Sequence, residues 1–144
     1  MVRVIFYEKP GCKNNTKQKT LIAAAGHELE TYNLLTYSWT TEKLGLFFEK
    51  LPVAEWFNRT APRVKSGEII PEKLDAKAAL ALMVEDPILI RRPLIQVEER
   101  REVGFDPQTV DNWIGLTPKD DTLKQMSATL LKQDLQNCSH KHKH

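Results

Sequence analysis

The pattern of apolar and polar positions divides the chain into alternating strand-like and helix-like segments. Residues 2–7 form a run of β-branched and aromatic side chains that is typical of a strand. The polar segment 13–25 is compatible with a helix, and Gly26 is a natural residue to end it. Residues 27–34 can then form a second strand, so the start of the chain predicts a β-α-β unit with two parallel strands.

The middle of the chain, about residues 41–86, is predicted to be a largely helical insert. Apolar residues between positions 44 and 51 lie at helical spacing, and Pro52 is suited to start a further short helix. After an interval without clear periodicity, Asp75 can cap an apolar helix that stops before Pro87.

Two short β-like runs and one helix follow the insert. The first run comprises residues 88–90 with 94–97 and the second comprises residues 101–105, which together predict an antiparallel hairpin. Asp106 is a suitable N-cap for a helix that Gly115 ends. A parallel strand pair extended by an antiparallel hairpin is the layout of a thioredoxin-like α/β domain with a mixed four-stranded sheet.

The sequence changes character after residue 116, so we predict one domain over residues 1–116 and a C-terminal helical extension over residues 117–139. The apolar residues of the extension lie roughly on one stripe: Leu123, Met126, Leu130 and Leu135. This stripe can pack back on the domain or pair with another chain, and we expect the first. Residues 140–144 alternate His with Lys, which is more typical of an engineered affinity tail than of a metal site.

The composition narrows the class of protein without identifying a substrate. A chain of 144 residues with 41% hydrophobic and 28% charged residues is ordinary for a globular domain. The formal net charge of +2 argues against a nucleic-acid partner. The sequence shows no signal peptide and no apolar run of membrane-spanning length, so we expect a cytoplasmic protein without a membrane partner.

Cys12 is the strongest candidate for chemistry, because it lies at the predicted turn from strand to helix. The first turn of a helix has unpaired N–H groups and the positive end of the helix dipole, and both favour a thiolate. Three lysines add positive charge nearby: Lys9, Lys13 and Lys17. The alternative is a small buried thiol without a chemical role.

The second cysteine of a dithiol motif is missing, because Asn15 stands where a resolving thiol would follow Cys12. The other cysteine of the chain, Cys138, is distant in sequence and does not suggest a disulfide framework. We therefore expect Cys12 to be reduced at rest and to depend on an external thiol, with Cys138 as a weaker candidate for a resolver. No bound cofactor and no metal site is predicted.

Four arginines near predicted turns are candidates to hold an oxyanion above Cys12: Arg59, Arg63, Arg91 and Arg92. A guanidinium offers planar, bidentate donors to an oxyanion, whereas an ordinary solvated surface position is the alternative. Arg92 is the most specific of the four because it precedes Pro93. If this proline is cis it can hold a sharp turn, and in thioredoxin-like folds that turn faces the thiol.

Other conspicuous side chains are expected to serve the structure. His27 follows the predicted end of the first helix, and no local arrangement with Asp or Ser recommends it as a catalytic base. Trp39, Trp56 and Trp113 lie beside apolar residues and are expected to be core or interface anchors.

Several motifs resemble one family of thioredoxin-fold proteins, the arsenate reductases and Spx-type regulators (the ArsC/Spx family). The resemblance rests on YEKPGC at residues 7–12 and LIRRPL at residues 89–94, and it extends over about residues 2–116. Three further motifs are similar to the nitrogenase-associated branch of this family, namely PVAEWFN at residues 52–58, APRVKSG at 61–67 and WIGL at 113–116.

The resemblance implies roles for particular residues. In the reductases, the cysteine at the position of Cys12 attacks arsenate, and arginines at the positions of Arg59 and Arg92 clamp the oxyanion. Glutathione or another thiol serves as co-substrate, and glutaredoxin completes the reduction. The resemblance thus implies a small oxyanion or a protein thiol as the partner of Cys12.

One clamp residue of the reductases does not carry over to this chain. Where they have their remaining clamp arginine, this chain has Phe105, as Spx-like members have a Gly-aromatic pair. Arg100 or Arg101 could partly substitute for the missing guanidinium. Loss of one charge-assisted contact should weaken anion binding by roughly 1.5–3 kcal/mol.

Two functions follow from these observations and remain open at this stage. The first is a thiol oxidoreductase of arsenate reductase or glutaredoxin type that uses Cys12. The second is a non-enzymatic binding or regulatory module with a partner protein from nitrogen fixation, which the resemblance alone implies.

Overall fold

The centre of the computed structural model, which describes residues 1–118 and 121–132, is one mixed sheet of four strands. They lie in the order β2-β1-β3-β4, with bounds β1 Arg3–Glu8, β2 Glu28–Asn33, β3 Leu94–Val97 and β4 Arg100–Val103. β1 runs parallel to β2 and antiparallel to β3, and β3 runs antiparallel to β4. The predicted mixed four-stranded sheet is confirmed.

Six α-helices lie in the part of the chain that the structure describes. They are α1 Lys13–Ala24, α2 Thr41–Phe48, α3 Pro62–Lys65, α4 Ala76–Glu85, α5 Pro107–Ile114 and α6 Asp121–Leu131. Single 3-10 turns are found at Val53–Glu55, Pro71–Lys73 and Pro87–Leu89. The region between β2 and β3 is therefore a helical insert, as predicted.

Side-chain caps fix the starts of several helices. Asp75 accepts a hydrogen bond from the backbone N–H of Ala78 at the start of α4. Asp106 does the same for Thr109 at the start of α5. Each carboxylate satisfies an N–H group that has no partner within its helix, which is why these acidic residues predict the helix starts correctly.

The prediction that residues 88–90 belong to a strand is wrong. Pro87–Leu89 form a 3-10 turn, and Ile90 makes an isolated antiparallel bridge with Phe57. The helix expected to begin at Pro52 is only the 3-10 turn Val53–Glu55. A turn of three residues is too short to produce a hydrophobic period, so apolar spacing cannot define it.

Alternate residues of β1 supply two hydrophobic cores. Tyr7 belongs to a core shared with the helical insert, whereas Val4 and Phe6 belong to a core shared with α1 and α5. Successive strand side chains point to opposite faces of a sheet, so the two cores lie on opposite faces. Trp39 and Trp56 are buried in the first core, as predicted for anchors.

α6 packs against α1, and its Leu130 contacts the second core. Self-docking of the extension is therefore observed for this helix. The side chains of Leu123 and Met126, the residue Leu135 and the His/Lys tail at 140–144 lie outside the described residues. Within residues 1–118 and 121–132 the longest helix is α1 with 12 residues, and no helix there could span a membrane.

Candidate active site

Cys12 is the N-cap of α1, at the end of the turn that follows β1. Its Sγ accepts a hydrogen bond from the backbone N–H of Asn15 at 3.5 Å, and its own N–H donates to the carbonyl of Lys9 at 3.1 Å. Gly11 has a φ of 84°, which allows the chain to reverse just before the cysteine. The strand-to-helix placement predicted for this sulfur is thus observed. Only 2% of the residue is exposed.

Two buried amides hold this turn in place. Asn15 Oδ1 accepts from the backbone N–H of Lys9 at 3.0 Å, and Asn15 Nδ2 donates to Gln18 Oε1 at 2.9 Å. Both side chains are 1% exposed. From the sequence, Asn15 is notable only because it occupies the position of the second cysteine in a dithiol motif. The signal for its structural role is a polar residue three positions after the cap, where its side chain can reach back to the turn.

The expectation that Cys12 is reduced at rest is wrong for this structure, because its sulfur takes part in a disulfide. The sequence has only one other cysteine, Cys138, and that residue lies outside the described part of the chain. Cys12 must therefore be reduced before it can act as a thiolate.

Arg92 lies across from the cysteine turn. β1 and β3 pair with Tyr7 opposite Leu94, so the same register extended by two residues places Arg92 opposite Lys9. Arg92 is 4% exposed, and burial lowers its pKa to about 10. The pKa of Lys9 is also lowered, first by burial and then by the nearby charge of Arg92. The Arg92–Pro93 peptide bond is cis.

These two cations create a positive environment beside Cys12. Burial disfavours the protonated form of each group, and an anionic ligand would favour it. The positive end of the α1 helix dipole acts in the same direction. The turn is therefore suited to hold a thiolate or a small oxyanion.

Arg59 is held by the helical insert. Its Nη2 donates to Glu72 Oε2 at 2.7 Å and to the carbonyl of Ala54 at 2.7 Å, and its side chain is half exposed. Hydrogen bonding from Arg59 lowers the pKa of Glu72. The structure thus gives Arg59 an acidic partner that the sequence did not indicate. Neither Glu72 nor Ala54 belongs to the Cys12 turn.

The other candidate arginines are placed differently. Arg63 forms ion pairs with Glu68 and Asp86, both at 2.9 Å. Arg91 is half-buried, and its Nη1 donates to the carbonyl of Glu55 at 3.2 Å. Arg91 therefore shares the turn Val53–Glu55 with Arg59.

Arg100 and Arg101, the predicted partial substitutes for a clamp arginine, have their recorded partners outside the Cys12 turn. Arg100 pairs with Glu102 at 3.0 Å and lies over the ring of Trp113. Arg101 donates to the carbonyl of Glu99 at 3.1 Å and lies over the ring of Phe47. These contacts direct both guanidinium groups to the hairpin and its neighbours. Phe105, at the position where the resemblance implies a clamp arginine in the reductases, is 1% exposed in the second core.

His27 has a structural role, as expected. Its Nδ1 accepts from the backbone N–H of Val2 at 3.1 Å, and its Nε2 is 2.7 Å from the carbonyl of Gly115. Because Nδ1 accepts, Nε2 carries the proton and donates to Gly115. The histidine is thus a neutral link between β1 and the end of α5. Among the described residues, no group of three His, Cys, Asp or Glu side chains could hold a metal ion.

Comparisons with known proteins agree with this architecture. The ArsC family model matches residues 7–113. A protein of Rhodospirillum rubrum, described as an uncharacterized 15.7 kDa protein in the draG 3′ region, is 52% identical over 120 residues, which cover 83% of this chain and 84% of that protein.

Solved structures show the same fold at low sequence identity. An arsenate reductase from Vibrio cholerae matches with a TM-score of 0.67 and 23% identity, over 77% of this chain and 97% of that one. A Bacteroides fragilis protein described as a putative ArsC family related protein matches with a TM-score of 0.68 and 23% identity, over 76% of this chain and 97% of that one.

Proposed function

The chain belongs to the ArsC family, and from this premise we propose that it is a thiol oxidoreductase of arsenate reductase or glutaredoxin type with Cys12 as its nucleophile. The observation that carries the proposal is the position of the Cys12 sulfur. It accepts an N–H hydrogen bond at the N-terminus of α1, and Lys9 and Arg92 lie beside the same turn. These groups stabilise a thiolate and attract an anionic substrate.

The proposed reaction starts from the reduced protein. The Cys12 thiolate attacks the arsenic atom of arsenate, forming a sulfur–arsenic bond while an oxygen leaves as water after protonation. Glutathione or another thiol then attacks the Cys12 sulfur. The arsenic leaves with the electron pair of the broken bond as arsenite, and the two sulfurs join in a mixed disulfide. A second thiol, or glutaredoxin, restores the Cys12 thiol by exchange.

Arg92 and Arg59 would have different parts in this cycle. Arg92 is buried beside the cysteine turn and can bind the oxyanion directly, because its charge is already poorly solvated. Arg59 is paired with Glu72, so it can contact an anion only by sharing its guanidinium or by leaving that carboxylate. We therefore assign the main oxyanion contact to Arg92. Pro93 completes the turn that faces the cysteine.

The experiment compares two single-cysteine variants after reduction. Cys138→Ser retains only Cys12, and Cys12→Ser retains only Cys138 as a matched control. We expect iodoacetamide to modify Cys12 about ten-fold faster than Cys138 at pH 7, since the helix start favours the thiolate. Glutathione-dependent arsenate reduction, with and without glutaredoxin, should be retained in Cys138→Ser and lost in Cys12→Ser.

A non-enzymatic binding or regulatory role, associated with nitrogen fixation, is the second candidate. The observation that favours it is the burial of Phe105 in the core. By resemblance, this residue occupies the sequence position of a clamp arginine of the reductases. If Cys12 reacts no faster than Cys138 and neither variant reduces arsenate or a mixed disulfide, the enzyme proposal is wrong and the binding role is favoured.

A further inference from the structure

We propose that Cys138 is the resolving thiol for Cys12, so that one chain completes a two-electron reduction before it meets an external thiol. This inference rests on the proposed function, because it concerns the adduct that forms on Cys12. It places an internal step ahead of the external thiol, which then serves to reopen the protein disulfide. The second thiol of the couple is thereby assigned to the C-terminal extension.

The oxidation state of Cys12 is the first observation. Its sulfur takes part in a disulfide, and the structure contains a single chain, so the bond is intramolecular. The sequence has two cysteines, which makes Cys138 the partner by count, although this residue lies outside the described part of the chain. A disulfide between these two residues is the product that an internal resolving reaction leaves behind.

The start of α1 does not supply a second thiol itself. Asn15 stands where a dithiol motif has its resolving cysteine, and its buried side chain accepts from the N–H of Lys9 and donates to Gln18. Asn15 therefore holds the turn and takes no part in thiol exchange. A resolving thiol has to come from another segment of the chain, as the disulfide of Cys12 indicates.

The environment of Cys12 favours reopening of this disulfide from its other sulfur. The N–H of Asn15 donates to Sγ of Cys12 at 3.5 Å, at the positive end of the helix dipole, and both stabilise a thiolate. A stabilised thiolate is a good leaving group in disulfide exchange. Only 2% of Cys12 is exposed in the oxidised state, so an external thiol has little access to its sulfur. Attack on the partner sulfur instead expels the Cys12 thiolate and restores the nucleophile.

The chain beyond α6 is long enough to connect the two cysteines. Leu130, near the end of α6, packs against the core to which α1 contributes Leu21 and Ile22. The rise along α1 from Leu21 back to Cys12 is about 14 Å. The six residues from 133 to 138 can span up to about 20 Å. The disulfide is therefore compatible with the observed docking of α6.

The resolving step is balanced in atoms and electrons. The Cys138 thiolate, which has lost its proton to solvent, attacks Sγ of Cys12 in the arsenate adduct. The sulfur–arsenic bond breaks, and its electron pair leaves with the arsenic as arsenite. The two thiols lose two electrons as the disulfide forms, and the arsenic gains them. Two molecules of glutathione then reduce the protein disulfide and are themselves oxidised to glutathione disulfide.

The first test uses glutathione disulfide and needs no arsenate. Cys12 of the reduced full-length protein attacks glutathione disulfide, which gives a mixed disulfide and one free glutathione. We expect the wild type to release a second glutathione and to end as a monomeric protein disulfide. Cys138→Ser should keep glutathione on Cys12, whereas Ser139→Ala, the matched neighbouring control, should behave like the wild type. Mass spectrometry of the unreduced proteins identifies these products.

The rate of release distinguishes an internal thiol from an external one. A thiol tethered by a short segment acts at an effective concentration in the millimolar range. We expect the wild type to release its second glutathione about ten-fold faster than ~0.1 mM free glutathione clears the adduct of Cys138→Ser, at a rate independent of protein concentration. A wild type that keeps glutathione on Cys12, that joins two chains through a disulfide, or that reacts no faster than the variant would overturn the inference.

A single turnover with arsenate separates failure of this inference from failure of the proposed function. Reduced wild type, freed of small thiols, should form about one arsenite per chain, and Cys138→Ser should form none until glutathione is added. If the wild type also needs glutathione to form arsenite, the role of Cys138 is overturned and the proposed function stands. Rapid internal release of glutathione without arsenate reduction by either protein would support Cys138 as the resolving thiol and show that arsenate is not the substrate.

Discussion

Arg92 carries its charge in a place where water can hardly solvate it. Burial lowers the pKa of Arg92 to about 10, well below the ordinary value of an arginine. Below that pH the folded protein must hold the protonated form, which burial disfavours. The protein therefore loses folding stability at this residue, and a bound anion would restore part of it.

The variant Arg92→Met should separate the cost of burying the charge from the stabilisation that a bound anion provides. The change keeps most of the buried aliphatic stem and removes the charge, so we expect the free energy of unfolding at pH 7 in a sulfate-free buffer to rise by roughly 1–3 kcal/mol. Sulfate should stabilise the wild type but not the variant. Chemical denaturation with and without sulfate measures both effects. A less stable variant in the absence of sulfate would show that contacts of the guanidinium outweigh its desolvation.

The lowered pKa values also predict how anion binding depends on pH. Sulfate favours the protonated forms of Lys9 and Arg92, so its binding is coupled to proton uptake as the pH approaches the lowered pKa of these groups. Sulfate affinity should be level near pH 7 and fall as the pH rises toward about 10. Calorimetry over this range measures the change, and sulfate itself keeps a constant charge. A level affinity up to pH 10.5 would contradict the prediction, since the unperturbed pKa of arginine is about 12.5 or higher.

Local sequence predicted the position of Cys12 correctly but did not predict the partner of Arg59. Cys12 was correctly placed at a helix start because a strand, a Pro-Gly turn and a helix follow one another in the chain. The pairing of Arg59 with Glu72 was missed because the two residues are 13 positions apart and belong to separate turns.

At the scale of single elements, the start of a helix depends on a few neighbouring residues, whereas the conformation of the short segments between helices depends on distant parts of the chain. Asp75 and Asp106 identify α4 and α5 because a cap needs only residues within one turn. The bridge between Phe57 and Ile90 depends on two segments that meet only after the insert has folded. Neither segment has a pattern of its own that would reveal this contact.

The cap of α5 gives a prediction at this scale. Asp106 Oδ2 accepts from both the N–H and the hydroxyl group of Thr109, at 3.3 and 2.6 Å. Asp106→Ala should lower the free energy of unfolding by about 1 kcal/mol, because the N–H group loses its partner. Asp106→Asn can still cap and should lose much less, so it is the matched control. Urea denaturation of the three proteins measures the difference, and equal stabilities would show that the cap is not needed.

At the scale of the whole molecule, the sheet brings together loops that are far apart in sequence. The register between β1 and β3 places the cysteine turn beside Arg92, and the register between β3 and β4 places Gly104 beside Pro93. The sequence predicted this topology from the order of its elements. It could not predict that Arg91 lies against Gly104, because that contact depends on the positions of three loops at once.

His27 joins the two ends of the described domain, and its removal tests how far they depend on each other. The imidazole links the N–H of Val2 to the carbonyl of Gly115, which is 88 positions away from the histidine. His27→Ala leaves both backbone groups to find water in a partly buried place, so we expect the free energy of unfolding to fall by about 1–2 kcal/mol. Glu28→Ala is the control. The carboxylate of Glu28 is exposed, and its ion pair with Arg3 is long, at 3.7 Å, so its loss should cost little stability. Hydrogen exchange should locate the loss at the start of β1 and the end of α5 together. If protection falls at only one of these ends, the histidine does not couple them. The two ends are then held together by the hydrophobic core that contains both Val4 and Leu116.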